Sequence, residues 1–362
     1  MEKINKISEF DRIHPYPAKF TIEMISDYIE RYSEKGDIIL DPFCGSGTTL
    51  LASKILERKS IGFDINPIAF IISKVKSNDY SEYTLKDFTN ALNDNMFKHY
   101  ESIEFDIFKY DSIDHWFTQN AIYAFSYIKH LIHTINDDKI KDVAFLSFSS
   151  IINEFSNQES DTRYVAKKKN DVTTEVIFKK YLQRFFSFSK IVLDYKEYNF
   201  DSYVFLTDSN NILNYVPTKS VKMILTSPPY PNTYDYYLYH KHRMTWLGYD
   251  YKPVMLSEIG SRREFSSLKK NHAKFTDDIK KILEKCYETL VPNGIIVMII
   301  GDGKIAGERY DSFHYISIIA NELNLKIIDY KKVNLDETSK SFSKSFRTKG
   351  KIEHFIVLEK GV

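Results

Sequence analysis

The hydrophobic and polar positions near the N-terminus follow helix and strand periods in turn. Residues 21–34 have a helical period, residues 37–40 form a short apolar run, and residues 48–58 are helical again. Residues 60–64 read as a second strand that ends on an aspartate. A strand, a glycine-containing turn, a helix and a second strand make one βαβ unit, which predicts the start of a doubly wound parallel sheet.

The same alternation returns in the C-terminal part of the chain. The pattern predicts strands at 203–208, 221–225, 295–300, 326–333 and 351–359, and helices at 276–290 and 313–323. A loop rich in Ser and Lys joins the last two strands. These two strands therefore predict an antiparallel hairpin at the edge of an otherwise parallel sheet.

The strand signals stop between residues 78 and 200. This stretch is rich in Phe, Tyr and Lys and is mostly helical in period, with its clearest apolar face at 122–135. It predicts a mainly helical insertion within an α/β domain.

Composition narrows the class of protein. Hydrophobic residues make up 43% of the 362 residues and charged residues 27%, which is typical of a folded globular protein. Cys44 and Cys286 lie far apart without metal-ligand spacing, so no metal site is expected. The first residues lack the apolar run of a signal peptide, and the longest apolar stretch, 295–300, is too short to span a membrane. We therefore expect a cytoplasmic protein without a membrane partner.

Charge is balanced overall and basic locally. The formal net charge is +1, but residues 163–190 and 339–351 are strongly basic. Such a distribution is typical of a protein that touches phosphates along one face.

The turn from Phe43 to Gly47 follows a predicted strand and precedes a predicted helix. Glycines there let the backbone approach a ligand and aim free N–H groups at it. Asp64 ends the next strand, where a carboxylate can accept both hydroxyls of a ribose. Leu50 stands where a dinucleotide-binding loop would have a third glycine or alanine, and no phosphate-binding lysine follows. The pattern predicts a nucleoside ligand without a diphosphate, and S-adenosylmethionine fits.

The motif Thr226-Ser-Pro-Pro-Tyr230 directly follows another predicted strand. An exocyclic base amine is a poor nucleophile because its lone pair is delocalised into the ring. The Ser227 hydroxyl oxygen and the Pro228 carbonyl can accept its two N–H groups and hold the nitrogen toward tetrahedral geometry. Pro229 helps to fix the backbone, and Tyr230 offers a flat face for a base pulled out of a duplex.

With both motifs in place, the chain resembles the amino-group DNA methyltransferases of the cytosine-N4/adenine-N6 family, which belong to bacterial restriction–modification systems. DPFCGSG (41–47) is similar to the cofactor motif of that family and TSPPY (226–230) to its catalytic motif. The resemblance covers 11–76 and 201–362. Adenine-N6 members usually carry Asn or Asp where this chain has Ser227, so serine favours cytosine.

The resemblance implies a fold and a domain organisation. The fold is α/β, a Rossmann-like S-adenosylmethionine-dependent methyltransferase domain with a mostly parallel doubly wound sheet, a C-terminal antiparallel hairpin and a mostly helical insertion. Residues 1–77 form the cofactor-binding part of the catalytic domain, and residues 201–362 form its remainder with the catalytic loop. Residues 78–200 are the insertion and a candidate target-recognition region.

The resemblance also assigns cofactor contacts, which we carry over to Lys19, Phe20, Asp41, Phe43, Gly45, Gly47, Thr48, Thr49, Asp64 and Asp208. In this scheme Phe43, Gly45 and Gly47 line the methionine portion. Asp64 takes the ribose, and Asp208 approaches the adenine amine. Thr48 or Thr49 lies near the methionine carboxylate. His14, in the N-terminal motif HPYPAKF, is either a further contact or the cap of a turn.

Three stretches compete for DNA contact: 157–169, 233–243 with 261–263, and 339–351. Their basic side chains suit phosphates and base edges. The candidates are Arg163, Lys167, Lys168, Lys169, Arg243, Arg262, Arg263, Lys344 and Arg347. Tyr236 and Tyr237 either flank the flipped base or pack into the core from a helix, and the sequence is equally consistent with both. Asp235 is a conceivable proton acceptor, although direct displacement at a sulfonium demands no general base.

The expected function is methyl transfer from S-adenosylmethionine to the N4 amine of a flipped-out cytosine in double-stranded DNA, without a metal. A cognate restriction endonuclease is a candidate partner. Adenine-N6 methylation on the same scaffold is the nearest alternative. An RNA methyltransferase acting on a guanine amine and a non-catalytic DNA-binding protein that retains the fold also stay open.

Overall fold

The chain is described by a computed structural model that covers residues 2–17, 20–161, 163–335 and 351–361. Its helices are α1 (Glu2–Asp11), α2 (Ile22–Tyr32), α3 (Thr48–Ile55), α4 (Pro67–Ser77), α5 (Leu85–Ala91), α6 (Ile113–Trp116), α7 (Gln119–Thr134), α8 (Asp138–Ile152), α9 (Thr174–Asp194), α10 (Tyr236–Tyr239), α11 (Lys241–Leu247), α12 (Tyr251–Ser257), α13 (His272–Thr289) and α14 (Ser312–Glu322). Its strands are β1 (Ile38–Asp41), β2 (Lys59–Asp64), β3 (Gln158–Ser160), β4 (Arg163–Ala166), β5 (Ser202–Leu206), β6 (Val221–Thr226), β7 (Leu290–Gly301), β8 (Gly303–Ile305), β9 (Glu308–Tyr310), β10 (Leu325–Leu335) and β11 (Lys351–Lys360).

Seven strands form one sheet in the order β10-β11-β7-β6-β1-β2-β5. The pairings of β5 with β2, β2 with β1, β1 with β6 and β6 with β7 are all parallel. Strand β11 is antiparallel to both β7 and β10, so the last two strands form the predicted hairpin at one edge. The Rossmann-like, mostly parallel fold predicted from the sequence is confirmed.

Local signals explain where the first elements begin. Helix α2 starts at Thr21, whose hydroxyl accepts the N–H of Met24, and it buries Ile22, Ile25 and Ile29 on one face. Helix α4 starts at Asn66, whose side chain accepts the N–H of Ile68, with a proline at its first position.

Some boundaries differ from the prediction. Helix α3 ends at Ile55 rather than near residue 58, because Glu57 takes a positive φ of 63° and its carbonyl accepts the N–H of Gly36. Helix α13 begins earlier, at His272, where Asn271 supplies the cap. Strand β7 follows α13 directly at Leu290, earlier than the predicted start at residue 295.

The insertion is mainly helical, as predicted, and carries one short hairpin of β3 and β4. Its helices do not form a separate core. Buried insertion residues such as Phe125, Phe148 and Phe185 belong to the same apolar cluster as Ile39 of β1 and Val297 of β7. The insertion is therefore packed against one face of the sheet, mainly through α4.

Within the described part of the chain, no helix combines the length and the apolar composition needed to cross a bilayer.

Candidate active site

The carboxyl ends of adjacent parallel strands open into one cavity. Strand β1 ends at Asp41, just before the glycine turn, and its neighbour β6 ends at Thr226, just before the Ser-Pro-Pro-Tyr loop. Parallel sheets bind ligands at this edge. The cavity brings together eleven of the residues predicted to bind the cofactor or to act in catalysis: Phe20, Asp41, Phe43, Gly45, Thr48, Thr49, Asp64, Asp208, Ser227, Pro229 and Tyr230.

Asp41 ties the two loops to each other. Its Oδ1 accepts the N–H of Phe43 at 3.1 Å and the hydroxyl of Thr226 at 2.7 Å. The side chain is buried, and burial raises the pKa of its carboxyl to about 6. A change at this carboxyl would therefore act on the glycine turn and on the start of the catalytic loop together.

Asp64 holds the glycine turn from the end of β2. Its carboxylate accepts the N–H of Gly45 at 3.0 Å and that of Asn66 at 2.8 Å. Burial raises the pKa of this carboxyl also to about 6. Gly45 has a φ of +49°, and a methyl group there would lie 3.3 Å from the ring of Tyr16. Glycine therefore lets this ring lie close over the turn.

Gly47 also has a packing role, and its predicted contact with the cofactor stays a prediction. It takes a φ of +75°, and a side chain there would come within 2.9 Å of the backbone of Ser73 in α4. Glycine at this position is required by helix packing, and Gly47 lies behind the cavity wall rather than on it.

The other predicted cofactor residues are anchored by the protein itself. Thr48 donates its hydroxyl to Asp11 at 2.8 Å, and Asp11 forms a buried ion pair with Lys76 at 2.9 Å. Asp208 caps the short helix that follows β5 and accepts the N–H of Asn210 at 2.7 Å. Phe20 packs edge-on against Phe355. Lys19 lies outside the described residues.

The catalytic loop rests on strand β7. The ring of Tyr230 lies against Gly301 so closely that a methyl group at Gly301 would be 2.6 Å from two ring carbons. The Tyr230 hydroxyl donates to Glu353 of β11 at 2.9 Å, and burial raises the pKa of this phenol well above its ordinary value. Ser227 and Pro229 stand on the cavity wall, and Pro228 is buried. The neighbouring strands thus fix the orientation of the Tyr230 ring.

Tyr16 and Glu258 line the cavity although the sequence did not mark them as site residues, and Tyr236 lies with them. The rings of Tyr16 and Tyr236 stack with centroids 6.0 Å apart, and Glu258 lies beside them. Glu258 is buried, and its two oxygens accept the N–H groups of Tyr236 at 2.6 Å and Tyr237 at 3.3 Å. Burial raises the pKa of this carboxyl to about 8. The HPYPAKF motif pointed to the neighbourhood of Tyr16, whereas no local pattern marks Glu258.

Arg243 was predicted to contact DNA, and this is wrong. The side chain is only 1% exposed, so it cannot reach a duplex. Its Nε donates to the carbonyl of Ser149 in α8 at 3.0 Å, and its guanidinium is paired with Asp161. Arg243 instead joins the segment after the catalytic loop to the insertion.

Of the two roles considered for His14, a cofactor contact or the cap of a turn, its position favours the structural one. It is buried, its Nδ1 lies 2.8 Å from the carbonyl of Pro15, and its Nε2 lies 3.0 Å from the hydroxyl of Ser149. Burial and the nearby Arg243 lower the pKa of the imidazole to about 3, so the ring is neutral. Asp235 likewise lies off the cavity wall, where it accepts the backbone N–H of Arg263 at 3.2 Å.

The remaining candidates for DNA contact differ in the exposure of their side chains and in the partners that their charged groups already have. Lys167 and Lys168 are exposed after the β3–β4 hairpin. Arg163 is exposed and pairs with Glu159 at 2.9 Å. Lys169 is only partly available, because its ammonium donates to the carbonyl of Asn153 just after α8 at 2.9 Å.

Arg262 and Arg263 are half-buried beside Asp235. Lys344 and Arg347 lie outside the described residues. DNA contact by these side chains stays a prediction.

Two aspartates and a histidine, side chains of the kinds that bind metal ions, lie together near the end of β7. Asp302, Asp311 and His354 place three ligand atoms within 4.8 Å of one another. Asp302 is already engaged by His354 at 2.8 Å and by Arg309 at 2.9 Å. The group therefore serves as a hydrogen-bond network, and the independence from metal stays a prediction.

Comparisons with known proteins agree with this geometry. A family model described as DNA methylase matches residues 2–75 and 221–361. The type II methyltransferase M.MvaI of Kocuria varians is 26% identical over 243 residues, which cover 60% of this chain and 52% of that protein. M.BsoBI of Geobacillus stearothermophilus, also a type II methyltransferase, is 27% identical over 286 residues, covering 66% of this chain and 53% of that protein. The chain thus spans about half the length of these relatives.

Among solved structures, an rRNA methylase from Streptococcus thermophilus aligns with a TM-score of 0.34 at 10% identity, over 95% of this chain and 98% of that chain. The family model covers more than half of the chain and leaves the whole insertion, residues 78–200, unmatched. Its two matched segments contain the glycine turn and the Ser227–Tyr230 loop, which the structure joins in one cavity. The chain belongs to the amino-group (N6/N4) DNA methylase family.

Proposed function

We propose that the chain is an S-adenosylmethionine-dependent DNA methyltransferase that methylates the N4 amine of a flipped-out cytosine. The observation that carries the proposal is the single cavity that joins the glycine turn and Asp64 to Ser227 and Tyr230. A methyl donor and its acceptor must meet within a few ångströms, and this arrangement places both binding surfaces in one space.

The charged groups on the cavity wall support S-adenosylmethionine as the cofactor. Its described residues include four carboxyl groups, of Asp41, Asp64, Asp208 and Glu258, and no lysine or arginine. Such a wall disfavours a diphosphate and suits a positively charged nucleoside. S-adenosylmethionine supplies an activated methyl group on a sulfonium when it is bound.

We assign cofactor contacts from this geometry and from the family. Asp64 binds the ribose hydroxyls, because it ends β2 beside the glycine turn. Asp208 binds the adenine amine from the end of the neighbouring strand β5. Phe43 and Gly45 flank the methionine portion, with Thr49 near its carboxylate.

The catalytic loop prepares the acceptor. The Ser227 hydroxyl oxygen and the Pro228 carbonyl accept the two N–H groups of the amine and direct its lone pair toward the methyl group. The Tyr230 ring stacks on the flipped base, and its fixed orientation against Gly301 lowers the cost of ordering it. The proton released by the amine passes to solvent after transfer.

Cytosine rather than adenine follows from Ser227, since adenine-N6 members of the family usually carry Asn or Asp there. Double-stranded DNA as the substrate is supported by family membership and by exposed Lys167 and Lys168 on the insertion. The insertion is the proposed target-recognition region. The type II relatives support a cognate endonuclease as a partner.

The proposal is tested with tritiated S-adenosylmethionine and equal amounts of double-stranded DNA and RNA. We expect label in DNA only, and a loss of at least about a hundredfold in Ser227→Ala with unchanged cofactor affinity. Ser266→Ala, an exposed serine away from the cavity, is the matched control. Transfer to RNA, or full activity of Ser227→Ala, would overturn the proposal.

A further inference from the structure

Glu258 lies in the cavity without belonging to either motif. It follows α12, and only 6% of its surface is exposed. Its oxygens are held by the N–H groups of Tyr236 and Tyr237, so the position of the carboxylate is fixed. Glu258 lines the same cavity as Asp64 and the stacked ring of Tyr16.

The three buried carboxyl groups of this cavity are balanced only by neutral donors. The hydrogen bonds described for Asp41, Asp64 and Glu258 come from backbone N–H groups and from hydroxyls. The nearby Asp64 carboxyl also raises the pKa of Glu258. A buried carboxylate without a cationic partner is costly, so a positively charged ligand would relieve the repulsion.

We infer that Glu258 is a specificity-determining residue that favours a positively charged sulfonium cofactor over the neutral thioether left after methyl transfer. The inference rests on the proposed function. Methyl transfer removes one positive charge from the ligand, while the ring, the ribose and the amino acid stay the same. A fixed carboxylate in the cavity discriminates between ligands that differ in this charge alone. Glu258 would thereby help the product to leave.

If Glu258 had only a structural role, removal of its charge would not change the preference for cationic ligands. The carboxylate caps the first N–H groups of α10, and a glutamine oxygen can accept the same hydrogen bond from Tyr236. Glu258→Gln therefore removes the charge and keeps an acceptor. Asp235→Asn is the matched control, because Asp235 precedes the same helix and lies off the cavity wall.

The test is calorimetric titration of the full chain with three ligands: S-adenosylmethionine, S-adenosylhomocysteine, and an analogue with an ammonium group in place of the methylsulfonium. We expect Glu258→Gln to weaken binding of both cationic ligands about tenfold, or about 1.4 kcal/mol, and to change binding of S-adenosylhomocysteine less than twofold. Asp235→Asn should leave the ratio of the affinities unchanged.

Equal weakening of all three ligands, or no change in any, would overturn the inference. If the wild-type chain binds none of them, the proposed function itself fails, which is a separate result. Should Glu258→Gln not fold, Glu258→Asp keeps the charge and should retain most of the preference for cationic ligands. Loss of that preference in a folded Glu258→Asp, with S-adenosylhomocysteine binding intact, would place the selectivity in side-chain length rather than charge.

Discussion

At the scale of single residues, the cavity depends on carboxyl groups at strand ends and on glycines that let rings approach. Asp64 is the clearest case, because one carboxylate holds the glycine turn and faces the cavity. We expect Asp64→Ala to weaken binding of S-adenosylmethionine at least about tenfold, measured by calorimetry. Asp201→Ala, at the opposite end of the neighbouring strand, should leave the affinity unchanged. Equal affinity of wild type and Asp64→Ala would refute the assigned contact.

Gly301 offers a test of the catalytic loop alone. A methyl group at this position would lie 2.6 Å from the Tyr230 ring, so the ring must move. We expect Gly301→Ala to lower the rate of methyl transfer at least about tenfold while cofactor affinity changes little. Gly361→Ala, whose added methyl group meets no neighbour within 4 Å, is the control. Unchanged transfer by Gly301→Ala would mean that the ring orientation is unimportant.

At the residue scale, the sequence identified residues that share the cavity where chemistry and local position coincide. Asp41 and Asp64 are the last residues of their strands and Ser227 directly follows one, and strand ends share one edge of a parallel sheet. Tyr16 and Glu258 were missed, because their place in the cavity depends on contacts between segments far apart in the chain. Gly47 shows that a packing requirement can produce the same glycine signal as a ligand contact.

At the scale of elements, the insertion and the segment after the catalytic loop are joined by buried polar contacts. Arg243 of α11 bonds to Ser149 of α8 and pairs with Asp161. We expect Arg243→Ala to lower the free energy of unfolding by more than about 2 kcal/mol in urea denaturation, because buried acceptors lose their donor. Arg31→Ala removes a surface pair at 3.9 Å and should cost less than about 1 kcal/mol. Similar losses in both variants would contradict the assignment.

The hairpin of β3 and β4 with its following lysines is the element through which the insertion is expected to meet DNA. Changing Lys167 and Lys168 together to Ala should reduce the slope of log binding constant against log salt by about 1.8, since each phosphate contact contributes about 0.9. Lys281→Ala with Lys326→Ala, two exposed lysines on α13 and β10, is the control. If only the control pair lowers the slope, the DNA lies elsewhere.

The sequence predicted the helices and strands more reliably than the contacts that these helices and strands make with one another. Apolar periods and caps identified the main strands and helices of the sheet domain, because these signals are local. The interpretation of Arg243 as a DNA contact failed because a basic side chain in a Tyr-rich stretch looks the same whether a helix turns it outward or inward. The small hairpin of β8 and β9 also lacked a recognised signal.

At the scale of the whole molecule, the buried carboxyl groups should destabilise the free protein as the pH rises and should strengthen binding of a cationic ligand over the same range. The pKa of Glu258 is raised to about 8, and those of Asp41 and Asp64 to about 6. A carboxyl whose pKa is raised in the folded state stabilises the fold below its unfolded pKa, and this contribution is lost as pH rises through the folded value. The melting temperature of the free wild-type protein, taken relative to that of Glu258→Gln, should therefore fall as the pH rises from 5 to 8.5, since the shifts of the buried histidines are common to both proteins.

A positively charged cofactor should reverse this trend, because it binds the ionised carboxylates. We expect the increase in melting temperature caused by S-adenosylmethionine to grow from pH 5.5 to pH 8.5, and the increase caused by S-adenosylhomocysteine to change less. Differential scanning fluorimetry with both ligands across this range is the measurement. A larger shift at the acidic end would contradict the account of the cavity charge.

The central claim is that one cavity methylates the N4 amine of cytosine in DNA. The most direct measurement is expression of the chain in a host that lacks this modification, followed by methylation-aware sequencing and mass spectrometry of the genomic nucleosides. The account predicts N4-methylcytosine within one short sequence context, and none when Ser227→Ala is expressed instead. N6-methyladenine as the new nucleoside, or N4-methylcytosine that persists in Ser227→Ala, would contradict it.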